Sequence, residues 1–473
     1  MTSPITIGSR LEPLWDDYLI DTDATTAKRV LHRPSVSGVV TFDRPWMTGH
    51  NSPYMCLIQT GGVIRLYTMP KKGIAVSESE DGVSWRHPEL GLVEFEGSKK
   101  NSLIRFDYSE TGYEPCGFDG FRVFVDESPD CPADERIKAI ANMHDRLQVY
   151  VSSDGYTFVH RGEVPVSPVC ENTPYDSINT VFWDTEAGKY KAFVRDYFTY
   201  PDGECIRAIS CGESATLQPK CGWPRSTFLR YDNDERWQMY INSVMPYFRA
   251  PHVYIGFPSR YVIHKSWDPA FDELCGREAR RARAGEDGTN RLGVSVSDTL
   301  FMVSRDGYDW IRYPDAFLRP GPEHPTNWVY GSVYFPNGLA QTPSLHPGCD
   351  DELSFWCMEN RFFTDLPPTL SRYTIRMDGF VSRSSEYPSS RLVTKPLIFD
   401  GGELHVNMST SAWGSVVFRL RDADGNTAES AAMFGDSTDK RVVVDGDISR
   451  FAGRPVTLEC DMRDADLYSI RFA

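Results

Sequence analysis

A seven-residue phrase recurs along this chain: SEDGVSW from residue 79, SSDGYTF from 152, SRDGYDW from 304 and, more faintly, RMDGFVS from 376. Asp-Gly between runs of alternating apolar residues is a strong hairpin signal, because Gly accepts positive φ and the Asp carboxylate takes hydrogen bonds from its own turn. The preceding Ser puts a hydroxyl on the turn. The ring three residues after Gly (Trp85, Phe158, Trp310) is expected to pack on a neighbouring sheet. The motif reads as structural rather than catalytic.

Spacing carries the larger message. The aspartates fall at Asp81, Asp154, Asp306 and Asp378, at intervals of 73, 152 and 72 residues. The middle interval is two periods, so one copy has lost its turn, around Ser210–Leu217, where a strand-like IRAIS runs on without Asp-Gly. Five units of about 75 residues, each with several short strands, predict an all-β chain built on a five-bladed β-propeller. Aromatic content of 13%, with 36 Gly and 32 Pro, agrees with that class. A change of texture at SSEYPSS (384–390) marks a linker, and the alternating segments after it predict a C-terminal β-sandwich. The expected division is a propeller over residues 1–385 and a sandwich over 386–473.

The chain carries no charged-then-apolar leader and no run of 18 apolar residues, so a cytoplasmic protein away from membranes is expected. A net charge of −16 argues against nucleic acid and anionic membranes as partners. Eleven cysteines include none in Cys-x-x-Cys spacing, and those inside strands (Cys56, Cys357, Cys460) read as small buried thiols. Neither a metal nor a cofactor is expected, and homo-oligomerisation stays open.

In a propeller, the start of each innermost strand and the end of the second strand meet at one face. Those positions hold His50 and Asn51 with Lys71 and Lys72 in blade one, and Asp119 with His144 and Asp145 in blade two. Blade three offers Asp176 with Arg195 and Asp196, blade four Asn242 and Arg260, and blade five Tyr330 with Glu359, Asn360 and Arg361. Polar groups from all five blades converge on one mouth, as a ligand pocket built on repeats requires. A strand-end carboxylate such as Asp145 or Asp196 more often caps a turn, and an inner-strand Tyr or Trp more often fills core than binds sugar. Asp176 and Glu359 stand out, because each sits where the inner face opens, in a segment otherwise apolar or amide-bearing.

Five blades, inward carboxylates at the mouth and a C-terminal sandwich resemble glycoside hydrolase families 32 and 43, the invertases, levanases and arabinanases. The stretches LWDDYLID, RVLHRPSVSGVVTFDRPW, DSINTVFWDTEAGKYKAFVRDY, DELSFWCMENRF and DADLYSIRF also resemble those of a bacterial group related to glycosyl hydrolases. The family 32 motif Trp-Met-Asn-Asp-Pro-Asn-Gly is absent, its nearest text being LWDDYLID at 14–21. Arg195-Asp196-Tyr197 is similar to an Arg-Asp-Pro motif but ends a second strand, where the family motif opens an inner one.

What the resemblance implies is glycoside hydrolysis, exo-acting on a furanoside or a related small glycoside. Such chemistry needs one protonated carboxyl for the leaving oxygen and one carboxylate as base or nucleophile, often with a third acid tuning them, and it places the working pair roughly 5 to 9.5 Å apart. Glu359 is expected as the acid, with Trp356 and Tyr175 desolvating it. Asp176 is the base or nucleophile, Asp119 the tuning acid, and Asp16 or Asp17 a reserve. His50, Asn51, Arg195, Arg260, Tyr330, Asn360 and Arg361 are expected to bind the carbohydrate. Two alternatives remain. Arg195, Arg260 and Arg361 could cluster on an anionic group, as in a sialidase with Tyr330 or Tyr197 as nucleophile, or a phosphorylase. The propeller could also bind carbohydrate without cleaving it.

Overall fold

The computed structural model describes residues 3–48, 52–113, 119–144, 146–170, 175–217, 222–264, 266–285, 291–360 and 366–473. Five small antiparallel sheets form the blades of a propeller, in chain order. Blade one pairs Cys56–Thr60, Val63–Thr68 and Ala75–Ser79, its fourth place reduced to a bridge between Glu78 and Arg86. Blade two runs Asp119–Val125, Ile137–Met143, Arg146–Ser152 and Thr157–Glu163. Blade three runs Thr180–Asp184, Lys189–Thr199, Cys205–Ser214 and Thr227–Phe228, so the decayed turn still sits between the third and outermost strands of a complete blade. In blade four, Met245–Tyr247, Ala250–Gly256, Met302–Ser304 and Asp309–Arg312 pair in order. Blade five takes Ala340–Thr342, Glu352–Met358 and Thr369–Arg376 from its own unit. Its outermost strand, Ser35–Thr41, comes from the other end of the chain and closes the ring.

Each seam between blades has its own apolar core, and the repeated turns seal it. Ser152 Oγ donates to Asp154 Oδ1 at 3.1 Å and accepts from the Gly155 N–H at 2.9 Å. Asp154 Oδ1 accepts in addition from the N–H groups of Tyr156 and Thr157. The Ser79–Asp81 and Ser304–Asp306 turns repeat this pattern. Gly is needed at Gly155 for its φ of 80° and for its neighbour, since a Cβ there would lie 2.9 Å from Tyr67 Oη of blade one. Trp85 stands edge-on to Trp356 of blade five with ring centroids 5.1 Å apart, and Phe158 does the same to Tyr67 at 6.4 Å. Trp85 is half-buried, whereas the fully buried Phe158 ring contributes about 1.5–3 kcal/mol by leaving water. Cys56, Cys357 and Cys460 are buried free thiols.

The fourth copy of the phrase has been put to another use. After Asp378 the chain leaves the propeller, and its next strand, Val381–Ser385, joins the C-terminal sheet. Asp378 is fully buried, and its carboxylate accepts from Tyr247 of blade four at 2.6 Å and from Ser469 of the C-terminal sheet at 2.7 Å. Arg249 Nη1 lies 3.0 Å from both oxygens, and Trp15 Nε1 donates to the Asp378 carbonyl. One carboxylate thus ties two bodies together.

The C-terminal unit is one curled sheet of eleven strands around a single core. Its spine is the antiparallel pair Leu404–Asp422 and Val456–Phe472. The expected division at 385/386 assigned everything before it to the propeller, whereas the hydrogen bonding distributes the chain otherwise. Ile5–Gly8, Glu12–Pro13 and Lys28–Leu31 are strands of the C-terminal sheet, and Ile7, Leu14, Leu19 and Ile20 lie in its core. Alternation reveals that a segment is a strand but not which sheet completes it. Asp16 and Asp17, held in reserve for the mouth, are consumed at this junction: Asp16 pairs with Arg305 at 2.7 Å and Asp17 with Arg383 at 2.7 Å.

Candidate active site at the mouth of the propeller

The inner strands of four blades open on equivalent residue pairs: Asp119-Gly120, Asp176-Ser177, Asn242-Ser243 and Ser332-Val333. The second member of each has a left-handed backbone, with φ of 61°, 82°, 40° and 47°. Three of the four are not Gly, a costly conformation that persists only where surrounding structure holds it. Here neighbouring blades do the holding. Ser177 Oγ donates to the Tyr240 carbonyl of blade four, and Ser243 Oγ to the Phe335 carbonyl of blade five. A Cβ on Gly120 would lie 2.1 Å from the Ser177 carbonyl oxygen, so blade two can have only Gly there.

This ring presents Asp176 at the mouth. Its carboxylate is ion-paired through one oxygen to Arg195, which ends the inner part of the long second strand of blade three and also donates to the Tyr197 hydroxyl. The Arg195 side chain is 2% exposed and that of Asp176 43%, so a buried cation holds a carboxylate that remains open to solvent. Burial opposes the charge on Arg195. The Asp176 carboxylate and the hydroxyls of Tyr197 and Tyr240 outweigh it, leaving Arg195 more firmly protonated than an ordinary arginine. Arg195 Nε is buried without a hydrogen-bond partner among the described residues.

Five tyrosines, each at most 6% exposed, pack beside this pair. Tyr54, Tyr240, Tyr261, Tyr330 and Tyr334 lie within 6.3 Å of one another in a chain of ring contacts, and the Tyr54 and Tyr240 hydroxyls meet at 3.0 Å. Burial above all, then the neighbouring Tyr54, Tyr330 and Asp176, pushes Tyr240 well above the usual phenol range, so it is a hydroxyl at any physiological pH. Arg207 lies over both Tyr240 (5.5 Å) and Tyr261 (5.0 Å), and Arg291 over Tyr330 (5.8 Å). Two extensions rise beside the rings. One is the hairpin of Lys189–Thr199 and Cys205–Ser214, and the other is the blade-four insertion with its helix Arg277–Ala284.

Strand-end position points to Tyr330 and Arg195, whereas Tyr240 reads as core, and Tyr261 on Ser259–Ile263 and Arg207 on the third strand of blade three hold neither of the two strand positions that meet at the mouth. The sequence pattern does not separate them: PYDSIN, MYINSV and VYGSVY each place a Tyr two or three residues before a Ser at the opening of an inner strand, yet Tyr175 fills a seam while Tyr240 and Tyr330 lie beside Asp176 and Arg195.

Glu359 follows the second strand of blade five, as expected. Its side chain is 15% exposed, with His324 Nε2 at 3.6 Å from the carboxylate, and its carbonyl accepts from Thr326 Oγ1 at 2.9 Å. Among the described residues, no hydrogen bond or ion pair joins Glu359 to Asp176. The aromatics expected to desolvate it are elsewhere: Trp356 faces Trp85 in the seam between blades one and five, and Tyr175 fills the seam between blades two and three.

Other assignments change. Arg260 gives both prongs of its fork to Asp298, at 3.0 and 2.5 Å, and a third donor to the Pro314 carbonyl, so it does not join Arg195 in an anion-binding cluster. Its partner stands on a strand beyond the insertion, where strand-end position alone could not place it. The Asn360 amide donates to the Pro367 carbonyl and accepts from the Thr369 N–H, which makes it a loop clasp. Asp196 accepts the N–H groups of Val169, Cys170 and Tyr197, the turn-capping role expected of a strand-end carboxylate. His50, Asn51 and Arg361 lie outside the described residues, as does the side chain of Asp119. Among the described residues, no group of three or more His, Cys, Asp or Glu side chains is placed to hold a metal ion, and no helix is long and apolar enough to cross a membrane.

No protein-family model and no curated protein matches this chain. Among solved structures it is similar to a thermostable family-43 glycoside hydrolase, at 13% identity over 72% of this chain and 94% of that one, with a TM-score of 0.42. It is also similar to an endo-1,4-β-xylanase from Bacteroides thetaiotaomicron, at 14% identity over 73% and 96% of the two chains, TM-score 0.39. A third is the β-fructofuranosidase of Schwanniomyces occidentalis, at 12% identity over 95% and 98%, TM-score 0.36. Identities and scores this low leave the role of each residue to the chain's own geometry.

Proposed function

We propose that this chain is a glycoside hydrolase working at the mouth of its propeller, with Asp176 as base or nucleophile and Glu359 as the acid. The observation that carries the reading is the half-exposed Asp176 carboxylate gripped by a buried arginine beside a cluster of tyrosines. A base or nucleophile needs one oxygen free to meet water or an anomeric carbon and a fixed orientation while it does so. Arg195 supplies the orientation, and the exposure of Asp176 supplies the access. Tyrosine hydroxyls beside the pair suit a sugar, which presents hydrogen-bonding edges.

Arg207 of the blade-three hairpin and Arg291 at the end of the blade-four insertion both stack on these tyrosines, so the two segments flank the pair, which favours an exo-acting enzyme that takes the end of a chain over a cleft that takes its middle. The proposed substrate is a furanoside or related small glycoside. The test is a panel of aryl furanosides, aryl pyranosides and oligosaccharides scored for released sugar. Glu359→Gln should lose at least about a hundredfold in turnover and recover part of it on substrates with good leaving groups. Equal loss on good and poor leaving groups would remove Glu359 as the acid.

Trp356 and Tyr175, expected to desolvate the Glu359 carboxyl, lie in blade seams instead, and this favours a second reading, a propeller that binds carbohydrate without cleaving it. Calorimetric binding of an oligosaccharide by wild type, with no sugar released from any panel member, would select that reading.

A further inference from the structure

The opposite end of the central channel holds a cation that nothing in the described protein neutralises. Arg122 lies on the inner strand of blade two and is 5% exposed. Its Nε and Nη1 are buried with no hydrogen-bond partner, and its side chain makes no ion pair among the described residues. Elsewhere the buried arginines at the bodies' junction are matched, as Arg305 is by Glu12 and Asp16 and Arg383 by Asp17. A buried guanidinium without a counter-charge is costly, and natural structures retain one where something completes it.

Beside Arg122 is a cavity of about 330 Å³. Every blade contributes to its wall, with Leu57, Arg122, Phe182, Met245 and Leu339 one from each. The wall is otherwise largely apolar. Its single carboxylate, Glu127, is exposed, and among the described residues no ion pair or hydrogen bond joins it to Arg122. The cavity belongs to the end at which the inner strands finish, the far side of the ring from Asp176.

We propose that this channel floor is an anion-binding site, in which the Arg122 guanidinium takes a small carboxylate or phosphate delivered from solvent and so pins the five inner strands together. A guanidinium fork matches the paired oxygens of either anion, and both fit the space. The low dielectric that makes the unpaired cation costly strengthens its attraction for the anion. Burial pulls Arg122 down to about 9, which still leaves it charged at neutral pH.

The test is the melting temperature of the full chain at pH 7, titrated with sodium acetate or inorganic phosphate against chloride at constant ionic strength. Wild type should show a rise of about 2 °C or more with at least one of the two, growing with the logarithm of its concentration, as expected of a ligand that binds only the folded state. Which of them raises it identifies carboxylate or phosphate as the ligand. Arg122→Met, which keeps the volume and removes the charge, should lose the rise. Should that variant not fold, Arg122→Lys keeps the charge without the fork and should need at least about tenfold more anion for the same rise. A wild type no more stable in acetate or phosphate than in chloride overturns the proposal, and so does a full rise retained in Arg122→Met or an Arg122→Lys that reaches the wild-type rise at the same anion concentration.

Discussion

Blades three and four place equivalent residues at the same strained bend and do opposite things with them. Asn242 of blade four is 2% exposed, and its amide donates to the carbonyls of Ile178 and Phe193 and accepts from the Val244 N–H. Asp176 of blade three, on the same backbone geometry, is held from one side by Arg195 and faces solvent on the other. The difference teaches how a repeat protein makes a site. The repeat supplies a frame that aims a polar side chain at the channel mouth, and function begins where one copy leaves that side chain unsealed. Sealed groups should fail by unfolding, and the open one should fail by losing chemistry.

The strongest way to break this contrast is Asn242→Ala. It strands two buried carbonyls and an N–H in the seam between blades three and four, at a cost of about 4 kcal/mol. Urea unfolding would check it, and a loss under about 1 kcal/mol would show that the amide is no seal. Next is the junction of the two bodies. Burial acts to raise the Glu12 carboxyl, but His252, 3.3 Å away, and Arg305, 2.7 Å away, outweigh it and hold the group at about 2 against an ordinary 4.5. A depressed carboxyl contributes its stability above the ordinary value and loses it as pH falls through the folded one. Glu12 should therefore contribute about 3 kcal/mol above pH 4.5 that disappears toward pH 2. In Glu12→Gln the fall in stability across that window should be visibly shallower than in wild type. The smallest effect belongs to the repeated turn itself: Ser152→Ala removes one hydroxyl from a hairpin that keeps its Asp154 bonds, and should cost about 1 kcal/mol in the same measurement.

The ring of blades was legible because the Asp-Gly turn is a local device. Ser, Asp and Gly act within four residues of one another, so their recurrence survives in the text, and the interval of 152 residues exposes the missing copy. The fourth copy misleads in the same local terms. Asp378 sits in a phrase that reads like the others, yet its carboxylate bonds residues 131 and 91 positions away in the chain. Nothing near it in sequence announces those partners. The first thirty residues hid their place for the same reason, since Leu14 and Leu19 find their core only against strands at the far end of the chain. At the mouth, Asp176 and Arg195 could be named from strand-end positions because the blade frame fixes them. Tyr240 and Arg207 could not, since what makes a buried tyrosine part of a site is the arginine stacked on it from a neighbouring strand.

The central claim is that Asp176 acts in chemistry and not in holding the fold. The direct test is sugar release by wild type and Asp176→Asn across the glycoside panel, with the melting temperature of each protein measured beside it. The account predicts release by wild type, at least about a hundredfold less by the variant, and melting temperatures within about 1 °C of each other. Near-normal turnover in Asp176→Asn, or lost activity matched by a fall of many degrees in melting temperature, would contradict it.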